Sequence, residues 1–211
     1  MNIAGVILCG GRSQRMGTPK ATLPFGDETL LERVTRLLAT VAQPIVVVAA
    51  PGQAVVNLPG EVRVVYDQRE GRGPLEGIRA GLAAAADASP IAYVTSCDAP
   101  LLVPAFVERM AQLLGDYDVA VPRIDEQYHP LSAVYRTNIV SHVDALLEAD
   151  RLRLIYLYER VATRIVTADE LREVDPTLAT LRNLNHPEEY QAVLAELGFA
   201  APAGDIKTRG Q

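Results

Sequence analysis

Short apolar runs rich in β-branched residues recur along the chain. They are apolar at both odd and even positions, which is typical of strands buried on both faces of a parallel sheet. In the first two thirds we predict strands over Ile3–Cys9, Ile45–Ala50, Val62–Tyr66, Ile91–Ser96 and Asp118–Val121. In the less regular second part, Ala133–Tyr135 and Thr163–Thr167 predict two more strands.

Helical patterns separate these runs. In Leu30–Val41 the apolar positions recur every three or four residues, and Asp27 is a candidate N-cap. Other helices are predicted over Leu75–Ala86, from Pro104 onward, over Ile139–Ala149 and over Pro187–Leu197. The alternation predicts an α/β fold of three layers, with a mostly parallel twisted sheet and helices on both faces. Such sheets bind ligands at the carboxyl ends of their strands.

Neither a repeat nor a linker interrupts the chain, so we predict one domain over residues 1–199 and a disordered tail over 200–211. A net charge of −6 argues against nucleic-acid binding. The N-terminus lacks basic residues before its apolar run, so we expect no signal peptide. No apolar run approaches the ~20 residues that cross a bilayer. We therefore expect a cytoplasmic protein without membrane contact.

A Gly-rich, basic segment follows the first predicted strand directly. Gly10 and Gly11 allow backbone N–H groups to approach an anion closely. Arg12, Arg15 and Lys20 add positive charge in a protein that is acidic overall. Together these features predict a triphosphate site. The competing interpretation is a structural Gly–Gly turn with solvated arginines.

Two better-known phosphate loops do not match this segment. A Walker A loop needs Gly-Lys-Ser/Thr, but here Gly17 is followed by Thr18 and Pro19. A dinucleotide fingerprint needs G-x-G-x-x-G and an acid after the second strand, where this chain has Ala49 and Ala50. A dinucleotide-dependent oxidoreductase is therefore disfavoured.

Carboxylates follow two other predicted strands. Asp98 comes after a buried strand, where a carboxylate is costly unless it meets a cation or donors. Because Mg²⁺ bound to phosphates takes one or two protein carboxylates, we predict that Asp98 is a metal ligand; an N-cap or turn is the alternative. Asp67 follows the third strand. Gly77 and Gly81 each cost a helix about 1 kcal/mol, which close approach of a ligand or backbone would explain; for Gly81, tight packing is at least as good an explanation.

Five motifs, taken in order, resemble those of the molybdenum cofactor guanylyltransferases. The similarity extends from about Ile3 to Tyr190. The Gly-rich loop alone specifies only the wider nucleotidyltransferase superfamily. The motifs are the loop from Gly10 to Lys20, Gly73-Pro74-Leu75-Glu76-Gly77, Cys97-Asp98-Ala99-Pro100, the segment from His129 to Tyr135, and the segment from Asn183 to Glu189.

The resemblance implies a Rossmann-like nucleotidyltransferase fold and transfer of GMP from GTP to Mo-molybdopterin, with Mg²⁺ as cofactor. It also implies molybdoenzyme apoproteins or other cofactor-biosynthesis proteins as partners. Arg15, Lys20 and Asp98 would be catalytic. The nucleotide would contact Leu8, Cys9, Gly10, Gly11, Arg12, Ser13, Lys20, Asp67, Gly77 and Asp98. The acceptor would contact Arg123, His129, Asn183 and Asn185.

Two departures from the family pattern keep alternatives open. The family often has Asn after the second strand, where this chain has Ala49 to Gly52, and Asp before the loop lysine, where this chain has Pro19. A CTP-using or sugar-phosphate nucleotidyltransferase is one alternative. A non-catalytic NTP-binding adaptor is another, although the retained Lys20 and Asp98 argue against it.

The two cysteines are far apart in sequence and show no metal-ligand spacing. Cys9 ends the first predicted strand and Cys97 follows the fourth. If the strand order reverses beside the first strand, these strands are neighbours. We therefore expect two adjacent free thiols at the active-site edge.

Overall fold

The computed structural model describes residues 2–10, 19–55, 58–67, 69 and 71–200. The strands are β1 (Ala4–Leu8), β2 (Pro24–Phe25), β3 (Glu28–Thr29), β4 (Ile45–Ala49), β5 (Arg63–Tyr66), β6 (Ile91–Ser96), β7 (Val119–Ile124), β8 (Gln127–Tyr128), β9 (Ala133–Arg136) and β10 (Thr163–Val166). The α-helices are α1 (Leu30–Ala39), α2 (Pro74–Ala85), α3 (Pro104–Leu114), α4 (Val140–Glu148), α5 (Ile155–Tyr158), α6 (Ala168–Arg172) and α7 (Pro187–Glu196). The predicted tail, apart from its first residue, lies outside these ranges.

One large sheet organises the fold, with strand order β10-β7-β9-β6-β1-β4-β5 and β8 paired to β7. Strand β1 is parallel to both of its neighbours, β4 and β6. Strand β9 is antiparallel to β6 and to β7. The order of the parallel strands reverses beside β1, so the carboxyl ends of β1 and β6 border a crevice that can hold a ligand. The α/β fold is as predicted.

Side chains of β1 alternate between two separate cores, which explains the three layers. Ile7 packs in the core that contains residues of α1 and α3. Val6 and Leu8 pack in the core that contains residues of α2 and α4. A Cβ atom on Gly81 would lie 2.3 Å from Cγ1 of Val6, so α2 can approach β1 this closely only with glycine there. Tight packing therefore explains Gly81.

The start of α1 differs from the prediction. Thr29, not Asp27, is the N-cap of this helix. The hydroxyl of Thr29 accepts a hydrogen bond from the Glu32 amide at 3.2 Å, and the Glu32 carboxylate accepts one from the Thr29 amide at 2.7 Å. This reciprocal capping box satisfies two helix donors at once, which Asp27 cannot do. Asp27 lies instead in the turn of the unpredicted hairpin formed by β2 and β3.

No helix within the described ranges combines the length and the apolar character that crossing a membrane requires.

Candidate active site

A cavity of about 670 Å³ lies where the parallel strands around β1 end. Its lining includes most of the residues predicted to bind the nucleotide: Leu8, Cys9, Gly10, Lys20, Asp67, Gly77 and Asp98. The structure therefore brings together residues that are up to 90 positions apart in sequence. Gly11, Arg12, Ser13 and Arg15 lie outside the described residues, so the roles assigned to them stay predictions.

Lys20, in the lining of this cavity, contacts residues of two other motifs. Its ammonium group donates a hydrogen bond to Oδ2 of Asp98 at 2.5 Å and to Oδ1 of Asn185 at 2.8 Å. The side chains of Lys20 and Asp98 are only 17% and 13% exposed, so their attraction is weakly screened by water. Three segments that carry different motifs thus converge on one ammonium group.

Asp98 is held by its neighbours on both the side chain and the backbone. The hydroxyl of Ser96 binds the second carboxylate oxygen of Asp98. The Asp98 carbonyl accepts a hydrogen bond from the amide of Leu184 at 2.8 Å, which ties the end of β6 to the segment before α7. These contacts fix the direction of the carboxylate before any ligand binds.

Asn185 is fixed by the start of α7. The carboxylate of Glu189 accepts hydrogen bonds from the amides of Asn185 at 2.7 Å and His186 at 3.0 Å. The first of these bonds is the main cause of a lowered pKa for Glu189, so this carboxylate is ionised at neutral pH. The side-chain amide of Asn185 is therefore presented from a well-anchored backbone.

Asp67 lies between two glycines of the predicted motifs. A Cβ atom on Gly10 would lie 3.0 Å from Oδ2 of Asp67, and one on Gly77 would lie 3.5 Å from Oδ1. Oδ1 is buried and makes no hydrogen bond within the described ranges. Burial, and then the nearby charge of Glu76, raise the pKa of Asp67 from its ordinary 3.8 to about 6. Such an unsatisfied, perturbed carboxylate in a cleft is typical of a ligand-binding position.

Replacing Asp67 with asparagine should stabilise the protein at pH 7 while weakening GTP binding. Because the folded-state pKa of Asp67 is raised to about 6, the folded protein binds this proton more tightly than the unfolded chain between about pH 4 and pH 6. The carboxylate therefore destabilises the fold above pH 6. Because Asp67 is only half-buried, solvent screens part of this effect. We therefore expect Asp67→Asn to raise the free energy of unfolding by about 1 kcal/mol, which corresponds to about 2–4 °C in Tm.

Thermal unfolding of both proteins between about pH 4 and pH 8 measures this effect. The Tm advantage of Asp67→Asn should shrink as the pH falls through about 6, where wild-type Asp67 takes up its proton. Asp87→Asn, at an exposed position remote from the cavity, is the matched control and should show no such trend. A Tm difference independent of pH would contradict the assignment of the raised pKa to Asp67.

Cys9 and Cys97 lie side by side where β1 and β6 end. The amide of Cys97 donates to the carbonyl of Leu8 at 3.1 Å and continues the register that pairs Leu8 with Ser96. This register confirms the expected adjacency, and both residues are buried free thiols. A hydrogen bond to Cys97, burial and the charge of Asp98 raise the pKa of the Cys9 thiol well above its usual value. Cys9 is therefore a neutral, weakly nucleophilic thiol at pH 7.

A second cavity of about 800 Å³ adjoins the first. Three of the residues predicted to bind the acceptor line it, namely His129, Asn183 and Asn185. Asn183 and Asn185 also line the first cavity, so they stand between the two. Oδ1 of Asn183 is buried and makes no hydrogen bond to another described residue. Burial lowers the pKa of His129, which favours the neutral imidazole at pH 7.

Arg123, the fourth predicted acceptor residue, lines neither cavity. Its guanidinium group forms an ion pair with Glu126 and lies over the ring of Tyr128, with Cζ 5.4 Å from the ring centre. Tyr128 lines the second cavity, so Arg123 borders that cavity only through this ring. Direct contact between Arg123 and an acceptor stays a prediction.

Sequence reasoning missed three polar residues of the site. Ser96, which hydrogen-bonds to the Asp98 carboxylate, was not predicted although it lies only two positions before Asp98. Arg69 and Arg72 line the first cavity, and Arg72 is anchored to the end of α4 by the Asp150 carboxylate at 2.7 Å and the Leu147 carbonyl. The sequence feature that could have indicated Arg69 and Arg72 is their position, as two positive charges, just before the Gly73-to-Gly77 motif.

A sequence model described as the MobA-like NTP transferase domain matches residues 5–164. The chain belongs to this family. The transferase is 41% identical over 173 residues to a Mycobacterium tuberculosis protein named "probable molybdenum cofactor guanylyltransferase", a match that covers 79% of this chain and 85% of the relative. The nucleotidyltransferase class predicted from the motifs is thereby confirmed.

Solved structures show the same fold. The transferase superposes on molybdopterin-guanine dinucleotide biosynthesis protein A from Archaeoglobus fulgidus with a TM-score of 0.78 and 19% identity, over 93% of this chain and 99% of that chain. It also resembles 2-C-methyl-D-erythritol 4-phosphate cytidylyltransferase from Thermus thermophilus, with a TM-score of 0.66 and 17% identity over 93% and 98% of the two chains. These likenesses confirm the predicted nucleotidyltransferase fold.

Proposed function

We propose that this transferase is a molybdenum cofactor guanylyltransferase, which moves GMP from GTP to Mo-molybdopterin and releases pyrophosphate. The observation that carries the proposal is the convergence of Lys20, Asp98 and Asn185 in the first cavity, beside the second cavity that Asn185 also lines. One cavity is lined by the motifs assigned to the nucleotide, and the other by the motifs assigned to the acceptor. The curated relatives that carry this activity in their names match most of the chain.

The residues around Lys20 fit a divalent cation such as Mg²⁺. The Lys20 ammonium donates to a carboxylate oxygen of Asp98 and an amide oxygen of Asn185, and this supports a site in which both oxygens face positive charge. Magnesium prefers oxygen ligands, and beside a triphosphate it needs only one or two from the protein. We assign Asp98 as its ligand, with Asn185 as the second candidate. When bound, the ion would neutralise charge on the phosphates.

The proposed reaction requires the protein mainly to position the two substrates and to stabilise the negative charge of their phosphates. The acceptor phosphate is ionised at neutral pH and attacks the α-phosphate without a general base. Pyrophosphate departs from the opposite side of the α-phosphorus, so the two phosphates must be held in line. Lys20 supplies positive charge where negative charge accumulates on the triphosphate. Asn183, at the boundary of the two cavities, would orient the acceptor.

Replacing Asn183 with alanine should raise the KM for Mo-molybdopterin by about tenfold, the equivalent of one lost hydrogen bond. The KM for GTP should change much less. Steady-state kinetics with each substrate varied in turn measure the two constants, and Asn138→Ala, at an exposed position before α4, serves as the control. A larger effect on GTP would place Asn183 on the nucleotide side.

An NTP panel tests the proposed activity against its alternatives. The chain is incubated with Mg²⁺, Mo-molybdopterin and one of GTP, CTP, ATP or UTP, and both pyrophosphate and the dinucleotide mass are measured. We expect a guanine dinucleotide from GTP and little product from the others. Preferential turnover of CTP would identify a cytidylyltransferase. Tight GTP binding without turnover would identify an adaptor.

A further inference from the structure

Arg33 of α1 contacts two of the segments that carry the site. Its Nε donates a hydrogen bond to the carbonyl of Pro100 at 2.9 Å, two residues beyond Asp98. Its Nη1 donates to the carboxylate of Glu28 at 3.1 Å, in the hairpin that follows Lys20. The side chain is only 19% exposed, which is uncommon for an arginine without a structural or functional partner.

The guanidinium group of Arg33 also packs against the ring of Phe25 in the β2–β3 hairpin. Cζ of Arg33 lies 4.9 Å from the centre of the Phe25 ring. Phe25 is fully buried, and its ring meets that of Phe199 edge to face with centres 5.5 Å apart. Phe199, which follows α7, therefore packs against the hairpin that Arg33 contacts.

We propose that Arg33 is a positioning residue, which holds the backbone after Asp98 against the hairpin after Lys20 and so sets the spacing of these two groups. The proposal rests on the assignment of Asp98 as the metal ligand. Pro100 is buried, and its carbonyl would lose this donor if Arg33 were removed. The turn that carries Asp98 would then adopt a wider range of positions, and the geometry needed for the metal and the phosphates would form less often.

Arg36 provides a matched control one turn along α1. It binds both carboxylate oxygens of the same Glu28, at 3.0 and 2.8 Å. Its side chain is 57% exposed. Within the part of the chain that the structure describes, the hydrogen bonds and ion pairs of Arg36 do not include Pro100 or Phe25. Arg36→Met therefore removes a comparable charge from the same helix and the same ion pair without touching the link to Asp98.

The test measures Mn²⁺ binding by electron paramagnetic resonance, with Tm, kcat and the KM for GTP recorded beside it. For Arg33→Met we expect a Mn²⁺ Kd about tenfold higher and a similar loss of kcat, with a smaller change in the KM for GTP. Arg33→Lys, which can still donate to Pro100, should recover part of the Mn²⁺ affinity. Arg36→Met should leave the Mn²⁺ Kd unchanged.

The proposal is overturned if Arg33→Met binds Mn²⁺ like wild type, whether or not Tm falls, or if Arg36→Met weakens Mn²⁺ binding equally. It is also overturned if Asp98→Asn has no effect on Mn²⁺ binding, because Asp98 would then not hold the metal. Wild-type protein that binds Mn²⁺ as expected but turns over no GTP with Mo-molybdopterin would refute the proposed function and leave the role of Arg33 standing.

Discussion

Replacing Asp98 with asparagine is expected to reduce GTP turnover by about 100- to 1,000-fold, the scale of losing one preorganised electrostatic contact to a reacting group. Asparagine has nearly the same shape, so it can keep the contacts of the side chain with Ser96 and Lys20. It lacks the negative charge that a divalent cation needs from the protein. The loss should therefore appear mainly in kcat and in the Mg²⁺ concentration that gives half-maximal rate.

The Mg²⁺ dependence separates this explanation from simple unfolding. Turnover is measured over a range of Mg²⁺ concentrations, with Tm recorded for each protein. Asp87→Asn, an equally conservative change at an exposed position, should behave like wild type in both measurements. If Asp98→Asn kept the wild-type Mg²⁺ dependence, Asp98 would not be the metal ligand.

The centre of the main sheet was predictable because β1, β4 and β6 are buried along their whole length. The run that forms β4 is apolar at every position and was predicted to within one residue of its observed end. The hairpin of β2 and β3 was missed because strands of two residues are too short to show a period. Asp27 was a plausible cap by residue type, but only contacts in the folded chain show that Thr29 and Glu32 cap each other.

The site was partly predictable for a related reason. Asp98 lies just beyond the buried strand β6 and Asp67 directly after β5, and parallel strands bring their carboxyl ends to one edge. The contact of Lys20 with Asn185 spans most of the chain and has no local signal, so only the family resemblance pointed to Asn185. No sequence pattern pointed to Arg33, because its contact is with the backbone carbonyl of Pro100, and every residue type has a backbone carbonyl.

Lys20→Ala is expected to lower kcat/KM for GTP by about 1,000-fold or more while the fold is retained. The change removes the ammonium that contacts both Asp98 and Asn185 and that we propose binds the triphosphate. A 1,000-fold loss of kcat/KM corresponds to about 4 kcal/mol of transition-state stabilisation, which is within the range found for charge-stabilising groups in active sites. Lys20→Arg should rescue little, because the planar guanidinium cannot replace a compact ammonium between two oxygens. Steady-state kinetics of the three proteins, with circular dichroism to check folding, measure this prediction.

The sequence also offers a direct probe of Lys20 in the wild-type protein. Lys20 and Lys207 are the only two lysines of the chain, whose other basic side chains are arginines and histidines. An amine-acylating reagent followed by mass spectrometry can therefore compare the two sites within one sample. GTP with Mg²⁺ should slow acylation of Lys20, because Lys20 lines the cavity assigned to the nucleotide. Lys207 lies outside the residues that the structure describes and serves as the reference site, whose acylation we expect GTP to slow less. Equal protection of both lysines, or near-normal kcat/KM in Lys20→Ala, would remove Lys20 from the triphosphate site.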